Sequence, residues 1–378
     1  MATPHHPITL SRASALSAAI LLALGATATA ATTAAAAAPE TIGGTIAFVS
    51  DRTGNDELYI TDASGGSVQQ LTDSPGFDRA PGWSPDGSSI VFNSRREPHP
   101  DRPQIYVLDV ATGEQARVTE SPLEEQRATW SPDGDSVFFH RGAFLAQPYN
   151  LVRLDLATGA ESTLTDSIDP GVWNAAAAPR PGGEQVLFQS NRDAPASLFP
   201  QRLQLLDLAT LAVTPVPGPA SHPDGSIDGP RWNADGTAFT YSVSTDDGNQ
   251  LFVTEASGSP ETWEHVAVTD GLSDDSAPAF SPDGSALVFQ TSVEGATEAE
   301  DRTIIRVLDL DSGEITEIGE GRTPVWTATD WFGGGEPAPQ LAATGGDSPA
   351  WIVPAGLLAV AGGAVLLGAS VGNRPRKR

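Results

Sequence analysis

Between Thr45 and Thr327 the apolar residues come in short alternating runs, such as "IVFNS", "QIYVLDV", "ARVT" and "ATW", each closed by Gly, Pro, Asp or Ser. Runs of this length, rich in β-branched and aromatic residues and bounded by turn formers, predict strands. No helical periodicity interrupts them. Two columns repeat along the stretch. Six residues after the Asp of each "SPDG"-like turn (Asp86, Asp133, Asp235, Asp283) stands an aromatic: Phe92, Phe139, Tyr241 and Phe289. Where "RPGG" replaces the turn, Gly182 takes the Asp place and Phe188 follows; Phe48 opens the series with no such turn before it. The second column is acidic, at Asp62, Asp109, Asp155, Asp207, Glu255 and Asp309, with spacings of 47, 46, 52, 48 and 54 residues.

Four short strands in each repeat of roughly 40 to 50 residues are the signature of a β-propeller blade. The sixfold count predicts an all-β, six-bladed β-propeller of four-stranded antiparallel blades over residues 42–332. The first unit opens at its second strand, "TIAFVS", and the last stretch, "TPVWTATD", is a first strand with no successor. Docking Pro324 to Thr327 beside Thr45 to Ser50 would close the ring and protect its edges.

The repeated "WSPDG" (Trp83 to Gly87 and Trp130 to Gly134), "IAFVS" and "IYVLD" resemble the TolB-type, WD-repeat-like propeller family. The resemblance covers about residues 42–332. It departs at "AAAAPRPGG", which lacks the Trp, and at the stretched "TPVPGPASHPDGSIDGP".

In such a blade the "SPDG" and "D-x-x-x-G" turns share one face, and the variable loops share the other. Loops on a rigid scaffold are the usual place for function. Arg52, Arg96 and Arg192 each stand four residues beyond Phe48, Phe92 and Phe188, which predicts equivalent positions around one mouth. They read as a clamp for an anionic group or as surface partners of local carboxylates. The clusters Asp51/Asn55/Asp56/Glu57, Asp246/Asp247/Asn249 and Asp274/Asp275 match no calcium-loop pattern, and no metal or cofactor is expected.

The chain ends add a location. Residues 1–30 read as an export signal, with Arg12, an apolar run and a small-residue cleavage site after Ala30. An Ala/Thr-rich linker follows at 31–41, and a Gly/Pro linker at 333–340. Leu341, Ala342, Ala343, Thr344 and Gly345 then precede an expected transmembrane segment at 346–373 and a basic cytoplasmic tail at 374–378. This order resembles the sorting signals of Gram-positive cell-wall proteins in their LAxTG variant. The resemblance implies a sortase cutting between Thr344 and Gly345 and joining the chain to peptidoglycan, with a membrane span before sorting. An ordinary membrane anchor is the simpler alternative.

Charge and composition narrow the partners. The whole chain carries a formal charge of −27, and loss of the two ends would leave 16 basic and 47 acidic residues, a net of −31. Nucleic acid is excluded as a natural partner, since its binding needs clustered cations. Zero cysteines exclude disulfides, a haem attachment site and Cys-ligated zinc. No G-x-S-x-G elbow, H-E-x-x-H, Walker A or G-x-G-x-x-G motif occurs, so no catalytic residue is assigned. The expectation is an exported, surface-anchored module that binds a protein or glycan. The alternative is a surface hydrolase or lyase acting on glycan or peptide through carboxylates at the central mouth.

Overall fold

The computed structural model describes residues 43–143, 147–169, 171–193, 200–245, 247–294 and 301–333. Among the described residues twenty-four strands carry the fold, with one 3-10 turn at Pro260–Thr262. The first sheet holds β1 (Thr45–Ser50), β2 (Glu57–Asp62) and β3 (Val68–Gln70). The second runs through β4 (Asp78–Trp83), β5 (Ser89–Ser94), β6 (Gln104–Asp109) and β7 (Gln115–Arg117). The third is β8 (Glu124–Trp130), β9 (Ser136–Ala143), β10 (Gln147–Asp155) and β11 (Glu161–Thr163). The fourth is β12 (Asn174–Pro179), β13 (Gln185–Ser190), β14 (Arg202–Asp207) and β15 (Val213–Val216). After it come β16 (Ile227–Trp232), β17 (Ala238–Ser244), β18 (Asn249–Glu255) and β19 (Glu264–Ala267). Then follow β20 (Asp274–Phe280), β21 (Ala286–Val293), β22 (Arg302–Asp309) and β23 (Ile315–Glu320). Last, β24 (Arg322–Thr327) returns to β1, with Thr327 opposite Thr45 and Trp326 opposite Ile46.

The expected six separate blades and C-terminal transmembrane helix are both corrected. Four blades of four strands stand apart, but β16 to β23 form a single eight-stranded sheet. The cause is local: Asn249 of β18 pairs parallel with Asp274 of β20, its N–H donating to Ser273 O at 3.1 Å, so no edge separates the two halves. No helix among the described residues is long and apolar enough to cross a membrane. The expected span at 346–373, the export signal and the Leu341–Gly345 motif lie outside the described residues.

The aromatic column is the core between neighbouring sheets. Phe92 packs with Ala47, Val49 and Leu58; Phe139 with Val91 and Ile105; Phe188 with Phe138 and Leu151; Tyr241 with Leu187 and Leu203. Each such ring is almost wholly buried, which stabilises the assembly by about 1.5–3 kcal/mol apiece. The acidic column makes turns. Asp109, Asp155 and Asp207 each accept through Oδ1 from the N–H of the threonine three residues on, at 2.8 Å. The "SPDG" carboxylates do likewise. Asp133 accepts from the Ser131 hydroxyl (2.5 Å) and the Asp135 N–H (3.1 Å), and the first of these bonds, against some burial, holds its carboxyl below the usual range.

Strands β4, β8, β12, β16, β20 and β24 neighbour one another in a closed cycle around the axis. Each is bent by a bulge at one residue with positive φ: Ala80 (53°), Arg127 (50°), Ala176 (50°), Gly229 (62°), Ala277 (51°) and Thr323 (47°). Left-handed backbone costs roughly 1 kcal/mol or more for a non-glycine residue, so a repeated bulge needs repeated support. Three of the freed N–H groups receive it from side chains of the preceding sheet. Arg127 donates to Asn93 Oδ1 (3.4 Å), Gly229 to Gln189 Oε1 (2.9 Å) and Thr323 to Gln290 Oε1 (2.6 Å). His140 takes the corresponding place in the third sheet. Its ring lies against Tyr149 and Trp173 with neither nitrogen hydrogen-bonded, and burial, then Arg127, pushes its pKa down to about 3.

Candidate binding site in the central funnel

The three arginines singled out by spacing are equivalent, as their positions imply, but they fold back onto their own sheets. Arg96 lies over the rings of Phe92 (5.6 Å) and Tyr106 (4.7 Å), and its Nη2 donates to Asp78 Oδ2 at 2.6 Å. Its Nε donates to the Ser94 hydroxyl (2.7 Å), which donates in turn to Asp78 Oδ1 (2.5 Å). Arg192 repeats the arrangement over Phe188, with Asn174 Oδ1 as acceptor from Nη2 (3.1 Å) and from Ser190 (2.8 Å). Arg52 sits over Phe48 and Tyr59 and, where β24 offers no acid, reaches Glu320 O at 2.8 Å. The structure does not bring the three side chains to one point. Arg52 lines a cavity at the loop end, of about 440 Å³, together with Asp274, Arg302, Glu320 and Arg322.

Two of the acidic clusters hold engaged carboxylates, and Asp246 of the third lies outside the described residues. Asp56 is buried and paired with both Arg79 and Arg322, and Asp275 accepts from the Thr291 hydroxyl at 2.7 Å. No group of three or more metal-ligating residues occurs among the described residues.

A larger opening lies at the other end of the axis. The "SPDG" ends of the axial strands splay around a funnel of about 590 Å³, walled by Trp83, Trp130, Trp232, Phe280, Trp326 and several prolines. Three of the indoles are fasteners. Trp83 Nε1 donates to Val325 O (3.2 Å), Trp130 to Gly82 O (3.1 Å) and Trp232 to Ala178 O (3.0 Å), each reaching the preceding axial strand. The "WSPDG" Trp thus binds neighbouring strands together and leaves its ring face as funnel wall. "RPGG" lacks it, and Pro179 stands in that place on β12.

Below the funnel the axis is crossed by charge. Arg127 of β8 donates from Nη1 to Asp228 of β16 at 2.7 Å, past the intervening β12. Both side chains are about half open to the channel (45% and 44%) although protein surrounds them. Burial raises the Asp228 carboxyl, but the Arg127 guanidinium outweighs that and holds it below the usual range. Arg231, three residues further along β16, lines the funnel itself. Loss of water, then the like charge of Arg127, pushes its pKa down to about 10. Sequence reasoning missed Arg127, Asp228 and Arg231. The readable signal was the Trp column: the residues before the axial aromatics and before Pro179 (Gly82, Thr129, Ala178, Arg231, Ala279, Val325) line the funnel, and one of them is charged.

Comparison with known proteins agrees with this architecture. Residues 23–204 match the family described as TolB beta propeller domain. A stretch of 50 residues is 50% identical to an uncharacterized peptidase of Bacillus subtilis, covering 13% of this chain and 8% of that protein. A stretch of 47 residues is 47% identical to a TolB homolog of Chlorobaculum tepidum, covering 12% of this chain and 11% of that protein. The chain therefore spans about a tenth of the length of these curated relatives. Among solved structures, TolB from Acinetobacter baumannii is similar with a TM-score of 0.61 and 22% identity, over 76% of this chain and 67% of that one. The chain carries a TolB-like β-propeller.

Proposed function

We propose that the chain is an exported binding module of the cell envelope whose partner enters the funnel at the "SPDG" end of the axis. The funnel lining carries the reading: aromatic faces and prolines on a rigid ring, with one charged side chain, Arg231. No carboxylate or imidazole stands among the described lining residues, so a hydrolase or lyase working there through acid pairs would need them from elsewhere. Both ends of the propeller leave at the funnel end, since β1 begins and β24 ends beside the "SPDG" turns, where the Thr329 hydroxyl donates to Asp86 O (3.1 Å). Attachment by a sortase between Thr344 and Gly345, the envelope location read from the sequence, would then hold the funnel toward the tether.

The test is capture of envelope proteins by full-length chain. Ala234→Glu with Ala328→Glu places two charges on the exposed funnel rim, and Arg302→Ala alters the loop end. The rim variant is expected to lose the captured partner by about tenfold or more in affinity, about 1.4 kcal/mol, with an unchanged melting temperature. Loss with Arg302→Ala alone contradicts the proposal.

A further inference from the structure

Arg231 is an unexplained charge in the funnel wall. No hydrogen bond or ion pair satisfies it among the described residues, although acids outnumber bases 48 to 21 in the chain. Asp228, whose charge acts on Arg231, is hydrogen-bonded across the axis to Arg127. At the five equivalent positions stand Gly82, Thr129, Ala178, Ala279 and Val325, so the guanidinium is a single cation in an otherwise uncharged ring. A desolvated cation with no partner is costly, and its fork of donors matches one planar oxyanion.

Resting on the reading of the funnel as the binding site, we propose that Arg231 receives the carboxyl terminus of an apolar peptide segment whose last residues lie against Trp83, Trp232 and Trp326. The wall selects for this chemistry. The indole N–H groups of Trp83, Trp130 and Trp232 are spent on backbone carbonyls, and Trp326 donates to Gly43 O (3.2 Å). Sugar hydroxyls would therefore enter with few donors to meet them, at a desolvation cost that an apolar peptide avoids. A single carboxylate matches the Arg231 guanidinium, whereas the field of a chain at −27 opposes a polyanion. The volume of about 590 Å³ falls among those of small-ligand sites.

The probes are N-acetylated tetrapeptides ending in Leu or Phe, each as free acid and as C-terminal amide, titrated into the full chain by calorimetry. The acid is expected to bind at least about tenfold more tightly than the amide. Arg231→Gln should bring the acid down to the level of the amide and leave amide binding unchanged. Because the substitution removes an unpartnered cation, the melting temperature of the free protein should not fall. Equal binding of acid and amide, acid binding that survives Arg231→Gln, or preference for inorganic phosphate or a uronate disaccharide would overturn the proposal. So would a fall in melting temperature, which would make Arg231 structural. If the peptides fail while an envelope partner is still lost on rim substitution, the carboxylate inference falls and the binding module stands. If the peptides bind through Arg231 but rim substitution spares the partner, the reverse holds.

Discussion

Replacing Asp78 by alanine is expected to cost about 3–5 kcal/mol, because it leaves a buried guanidinium and a buried hydroxyl without their acceptor. Asp78 is fully buried, Ser94 nearly so, and the Arg96 side chain is only 18% exposed. Asp78→Asn should cost far less, about 1–2 kcal/mol, since Asn174 already fills the same role for Ser190 and Arg192. The exposed Asp101→Ala is the control. Thermal unfolding should rank the variants Asp78→Ala, Asp78→Asn and Asp101→Ala from largest to smallest loss. A fall for Asp78→Ala no larger than the control would show that the arginines are free of the sheets.

The second large effect is on pH dependence and centres on Glu57. The residue is wholly buried, accepting from the Ser74 N–H (2.9 Å), the Asn55 amide (2.8 Å) and the Thr72 hydroxyl (2.6 Å). Burial, opposed by the Thr72 bond and joined by the charge of Asp78, raises its pKa to about 7 from an ordinary 4.5. The native state then holds a proton that the unfolded chain has lost between those values. Stability is fully present below about pH 4.5, declines as pH rises to about 7, and is level above that. Two of the equivalent positions carry neutral amides in the same hydrogen-bonding role. Gln104 Oε1 accepts from Ser121 N–H (2.7 Å) and Asn150 Oδ1 from Ser167 N–H (3.1 Å). Glu57→Gln should therefore abolish this slope and stabilise the protein at pH 8 by on the order of 1–3 kcal/mol, the scale of such a shift. Its effect should shrink when combined with Asp78→Asn, which removes a charge acting on Glu57. An unchanged slope between pH 4.5 and 7 in the Gln variant would contradict the assignment.

The strands and the closing β24 were legible because they follow from short-range pattern: period-2 runs, "SPDG" turns and a first unit lacking its inner strand. The grouping of β16 to β23 into one sheet was not, because it depends on the backbone of Asn249 meeting Ser273 O across a loop, and no residue type encodes that contact. The arginine column was visible at Phe plus four, but spacing gives equivalence and not direction. Direction was written in a second column, sixteen residues apart, that links Asp78 to Ser94, Glu125 to Arg141, Asn174 to Ser190 and Asp275 to Thr291. Four of the six axial strands thereby carry a buried acceptor for the hydroxyl or guanidinium of the next strand, which turns these side chains back onto their own sheets. The funnel charges stayed hidden because Arg127 and Asp228 lie about a hundred residues apart and meet only when the ring closes.

The claim that the partner occupies the funnel is tested most directly by amide hydrogen exchange on the full chain with and without the captured envelope partner. The account predicts added protection at residues 82–85, 129–132, 230–234, 279–282 and 325–328, where the axial strands run into their "SPDG"-side turns. Protection confined to the loops at 51–56 and 95–102, with the funnel residues unchanged, would contradict it.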